Sequence, residues 1–112
     1  MEIEEWKNKY EKKLKNFGFV FEKKEDDGSR ITLYYDNVRD SGIFKNSRLE
    51  VWKREGKQEK IFADLHLEKS GFYNDKHNFF TEVEHLFDYL EYFETTDKEN
   101  EEDKFKIIGM WE

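Results

Sequence analysis

The chain has 112 residues, 42% of them charged, with 27 Asp and Glu against 20 Lys and Arg, a net charge of −7, and neither Cys nor Pro. That length suits one domain with one core, removing roughly two-thirds of its unfolded surface from water, and the lack of Cys excludes disulfides and thiolate metal sites. No run of 18 apolar residues is present, and Met1 to Glu5 lacks the basic and apolar regions of a secretory leader, so a cytoplasmic protein without membrane association is expected.

Ile3, Trp6, Tyr10, Leu14 and Phe17 recur at helical spacing with charged residues between them, which predicts an amphipathic helix over 3–16. Gly18 is placed to end it. The period then changes to two. Phe19 and Phe21, then Ile31, Leu33 and Tyr35, alternate with Val20, Glu22, Thr32 and Tyr34, predicting two strands joined at Asp27-Gly28, a pair that tolerates the positive φ of a hairpin turn. Residues 37–46 read as a polar loop. A second alternating pair, Leu49 and Val51 followed by Ile61, Ala63, Leu65 and Leu67, is linked by a short hairpin around Gly56.

After Ser70-Gly71, a second helical stripe runs through Phe79, Val83, Leu86, Leu90 and Phe93, widened by Phe80 and Phe87. Asn74 or Asp75 could cap this helix; Thr81 with Glu84 forms a capping-box pattern that would start it later. The expected fold is α+β: a four-stranded antiparallel meander in the order α-β-β-β-β-α, with both helices on one face. Residues 1–94 are expected to form the compact domain, 95–104 an acidic linker, and 105–112 an apolar tail docked on it as a fifth strand or a folded-back segment.

The negative charge is local. Residues 61–112 hold 14 Asp and Glu against 5 Lys, whereas residues 1–60 are slightly basic, with 13 against 15. Glu84, Asp88, Glu91 and Glu94 share one stripe of the second helix, and Asp97, Glu99, Glu101, Glu102 and Asp103 continue the acidic run. Carboxylates one helical turn apart repel each other and cost helix stability, so a cation is expected to balance them. Such a field attracts basic surfaces and repels phosphate backbones, which points to a basic protein partner and away from direct nucleic-acid binding. Tyr89 and Tyr92 are expected to be exposed beside the carboxylates.

A second candidate surface is the outward sheet face, where Tyr34, Arg48, Trp52, Phe62 and His66 would lie together with Thr32, Glu50, Arg54 and Asp64. Aromatics and Arg are what interface hot spots are made of, so this face suits self-association, a foreign protein or cover by the C-terminal tail. His66 beside Asp64 and Glu50 is read as a polar surface residue. The spacing of the three His supplies no recognisable metal motif, there is no phosphate loop and no nucleophile elbow, and neither a cofactor nor catalysis is expected.

No family motif is legible. In composition the chain, small, acidic and aromatic-rich, resembles bacterial and phage proteins that neutralise an enzyme, such as toxin immunity, anti-restriction and anti-CRISPR proteins. The resemblance implies a non-enzymatic inhibitor, a monomer or homodimer, that occupies the positive surface of a nucleic-acid-handling enzyme or toxin. The alternative is a structural protein that oligomerises through the aromatic sheet face.

Overall fold

The computed structural model describes residues 1–54, 56, 60–67 and 76–97. Its elements are α1 (Ile3–Asn16), β1 (Phe19–Asp26), β2 (Arg30–Asn37), β3 (Arg48–Arg54), β4 (Ile61–Leu67), β5 (Lys76–Phe80) and α2 (Val83–Asp97). The five strands form one antiparallel meander in chain order. The expected α+β meander with flanking helices is therefore present, with one more strand before α2.

That extra strand corrects the reading of residues 79 and 80. Phe79 and Phe80 do not extend the helical stripe; they pair with Asp64 and Ala63 on β4. Helix α2 starts at Val83, with the Glu82 carbonyl accepting from the His85 and Leu86 N–H groups, later than a start at residue 74 or 75; Asn74 and Asp75 themselves lie outside the described residues. Apolar runs of this length fit both periods, and the free edge of β4 selected the strand. The proposed fifth strand or docked tail at residues 105–112 lies outside the described residues, as do 98–104.

Helix α1 buries Ile3, Trp6 and Leu14, with Tyr10 and Phe17 packed beside them. Glu4 and Glu5 in its first turn and Lys13 and Lys15 in its last complement the helix dipole. The side chains of Leu86, Phe87, Leu90 and Phe93 cover the same side of the sheet from α2. Where the helices meet, Phe87 lies 5.4 Å from Tyr10 and 6.3 Å from Phe17 between ring centroids. Beneath them, Leu33, Tyr35, Leu49, Val51, Ala63, Leu65 and Leu67 supply the sheet side of the core. A bulge between Phe21 and Lys23 re-phases β1, so that Lys24 pairs with Leu33 and reaches Glu4 of α1 at 2.7 Å.

The 37–46 segment is not simply a polar loop. Ile43 and Phe44 are 3% and 1% exposed, and Phe44 packs on Phe19 with centroids 6.0 Å apart. Ser47, also buried, donates from its hydroxyl to the Phe44 carbonyl at 2.5 Å. The segment folds under the sheet because two large apolar side chains among polar ones are enough to dock it.

Candidate functional site

Helix α2 carries the acidic surface. Glu84, Asp88 and Glu91 are exposed, and among the described residues no cation lies within ion-pair distance of any of them. The carboxylates at either end are neutralised from within the chain. Glu82 lies 3.1 Å from Lys60, and half-buried Glu94 pairs with Arg39 of the β2–β3 connection. Glu94 therefore serves the fold and does not extend the open stripe. Asp97 is the last residue of α2, while Glu99, Glu101, Glu102 and Asp103 lie outside the described residues.

The two tyrosines part company. Tyr92 is 53% exposed. Tyr89, expected beside it at the surface, instead turns toward the core between Phe80 and Phe93, and its hydroxyl accepts from Asn78 at 3.1 Å. Burial disfavours its phenolate and raises its pKa. Helical geometry explains the difference: position 89 follows Leu86 by three residues and so falls on the inner edge of the stripe, whereas 92 falls outside it.

The outward sheet face assembles as its alternation predicts, in rows set by strand register. Thr32, Trp52 and Phe62 form one row. Lys23, Tyr34, Glu50, Asp64 and Phe79 form the next, and Asp36, Arg48 and His66 the third. Trp52, Phe62 and Phe79 make a continuous aromatic patch, with Phe62 stacked on Phe79 at 5.5 Å and Trp52 4.7 Å from Phe62. Phe79 is 52% exposed. The Arg30 and Arg54 guanidiniums, on directly opposed residues, both lie over the Trp52 indole at 5.0 and 5.5 Å.

Phe79 and Arg30 were not legible as members of this face from the sequence. Phe79 fits the helical stripe of the sequence as well as a strand, and Arg30 sits at the strand boundary where turn and strand are indistinguishable. Alternation counted back from Thr32 was the one signal for Arg30. On the third row Arg48 is held by Asp36 at 2.9 Å and leans over Tyr34, whose hydroxyl donates to Glu25.

His66 Nε2 lies 2.6 Å from a Glu50 oxygen and 3.4 Å from an Asp64 oxygen. The shorter separation is a direct imidazole–carboxylate contact. Two ligands of one tetrahedral zinc ion, each about 2.0–2.2 Å from it, would stand about 3.3 Å apart. Among the described residues no group of three or more His, Asp or Glu is arranged to hold a metal ion.

No helix among the described residues is long and apolar enough to cross a membrane. No family model matches the chain, and no curated protein or solved structure shows significant similarity to it.

Proposed function

We propose that this is a non-enzymatic, cytoplasmic binding protein that neutralises a basic, nucleic-acid-handling enzyme or toxin by occupying its positive surface, in the manner of immunity, anti-restriction and anti-CRISPR proteins. The observation that supports this reading is the exposed row of Glu84, Asp88 and Glu91, left without a cation by the described chain while Glu82 and Glu94 at its ends are neutralised. Three like charges one turn apart destabilise a helix by a few tenths of a kcal/mol per pair, and a partner's Lys and Arg would remove that cost on binding. Exposed Tyr92 adds amphipathic ring area one residue after Glu91, supplying affinity that screened charges lack.

Charge of this kind acts mainly through encounter rate and specificity, so its signature is salt dependence. The test is capture from the host's lysate at low and high salt with the native protein and with Glu84→Lys/Asp88→Lys/Glu91→Lys, followed by assay of the captured enzyme. Salt-sensitive capture of one basic enzyme, its inhibition, and loss of both in the triple variant support the reading. Capture indifferent to salt and to the triple reversal overturns it. Glu94 is left out of the variant because its loss would unpair Arg39.

A further inference from the structure

We propose that the outward sheet face is a two-fold homodimer interface, with the Trp52–Phe62 row of one copy laid along the same row of a second copy. The occupant is identified by charge. The chain as a whole carries −7, yet the paired positions of this face balance Lys23, Arg30, Arg48 and Arg54 against Glu25, Asp36, Glu50 and Asp64. Two copies of an acidic protein approach most easily through a surface where the repulsion of the remainder is absent.

The arrangement is also self-complementary. The Arg30–Arg54 pair lies one row to one side of the aromatic row, and Glu50 and Asp64 lie one row to the other, each about 7 Å away along the strands. A two-fold axis running along the Trp52–Phe62 row, between facing sheets, exchanges those flanking rows and leaves each strand opposite itself. Arg54 then faces Glu50 of the second copy on β3. Beside β1, Asp27 of the β1–β2 turn, whose N–H donates to the Arg30 carbonyl and which is thus level with the row of arginines, faces Lys23, which is in register with Tyr34. The aromatic row meets its own image at the centre, and Phe79 extends the apolar contact toward β5. Two arginines directly opposed on neighbouring strands, with no carboxylate within ion-pair distance among the described residues, are unfavourable in an isolated sheet. The facing acidic row would offset that cost. Aligned sheets pack about 10 Å apart and about 30° askew, which keeps the middle strands in contact while the edges diverge.

This interface is independent of the α2 carboxylates, whose reversal leaves it unchanged. The test is sedimentation velocity of the full chain across a wide concentration range, with far-UV circular dichroism as the folding control. The expected species has twice the 13.8 kDa chain mass. Trp52→Glu and Phe79→Glu each give a folded monomer; Phe79, half exposed, is the variant that spares the fold. Arg54→Glu and Glu50→Arg each weaken dimerisation by roughly tenfold or more, and the combined Arg54→Glu/Glu50→Arg variant recovers most of that loss, because both reciprocal contacts are restored. A monomer at every concentration overturns the proposal, as does a dimer indifferent to Phe79→Glu or a double variant no better than the worse single one. A monomer whose melting point falls on Phe79→Glu assigns the cover of this face to the chain itself and likewise overturns it.

Discussion

Arg39 and Glu94, 55 residues apart in the chain, form an ion pair that ties the β2–β3 connection to the last turns of α2, and the same guanidinium donates to the Asn16 carbonyl at the end of α1. One side chain thus satisfies a terminal carbonyl of one helix and a carboxylate of the other. Both partners are partly buried, at 31% and 23% side-chain exposure. Replacing Arg39 by Ala is expected to cost about 1–2 kcal/mol, more than a typical exposed pair, because it leaves Glu94 and the Asn16 carbonyl short of a donor. Arg39→Lys recovers a fraction of that, since an ammonium lacks the planar fork that reaches both acceptors. Denaturant unfolding of the three proteins measures the difference; equal midpoints would refute the role.

Gly18 sits under that staple. Its φ of +91° follows α1, and a Cβ built there would lie 2.7 Å from Arg39 Cγ and 2.9 Å from Asn37 Oδ1. Asn37 is itself fixed, donating to the Phe17 carbonyl and accepting from the Arg39 N–H. Gly18→Ala is expected to cost about 2–3 kcal/mol, combining left-handed backbone strain with displacement of Arg39. Gly28, at φ +87° in the β1–β2 turn with nothing within 4 Å of an added Cβ, carries the backbone term without the clash. Gly28→Ala should therefore cost about 1–2 kcal/mol, and a thermal unfolding comparison of the two variants separates the terms. In a double-mutant cycle, Gly18→Ala and Arg39→Ala should be less than additive.

Phe44 tests the reading of the β2–β3 connection as part of the core. It is 1% exposed against Phe19. Phe44→Ala is expected to destabilise by about 3–5 kcal/mol, the range for a buried ring in a strand or helix, whereas a residue of a solvated loop would change stability by less than about 0.5 kcal/mol. Equilibrium unfolding decides between these outcomes.

Asp27 predicts an acid-sensitive turn. Its Oδ1 accepts from the Arg30 N–H at 2.9 Å, the Ser29 N–H at 2.9 Å and the Ser29 hydroxyl at 2.8 Å. These donors favour the carboxylate and lower its pKa from 3.8 to about 2. Because the folded value lies below the unfolded one, the turn's contribution is present above pH 3.8 and is lost as pH falls through 3.8 toward 2. Carboxyl-detected NMR titration should show the Asp27 midpoint well below 3.8, near 2, and Asp27→Ala should flatten the stability profile in that window. An Asp27 midpoint near 3.8 would sink the prediction.

Much of the fold was legible because its signals are periodic and local. The α1 stripe, the alternation of β1 to β4, and the Asp27-Gly28 turn each depend on neighbours a few residues away. Trp52, Phe62 and His66 were placed on a common face by alternation alone, since register in a sheet with one buried side leaves no other choice. Phe79-Phe80 failed for the opposite reason: two adjacent rings fit a helical stripe and a strand equally, and the edge of β4 was the arbiter. Tyr89 shows the same limit at smaller scale, its place on the rim of the α2 stripe being settled by Phe80 and Asn78.

By itself, then, the amino-acid order determined the element types up to β4, the split of the sheet into an apolar and a mixed face, and the concentration of negative charge in the last half. Tertiary structure decided which charges remain open. Arg39 reaching Glu94 and Lys60 reaching Glu82 join residues far apart in the chain, while Glu84, Asp88 and Glu91 receive no such partner among the described residues. Local pattern follows from backbone sterics and side-chain period, whereas the pairing of distant charges depends on where the whole chain brings them, and that is set by packing of the common core.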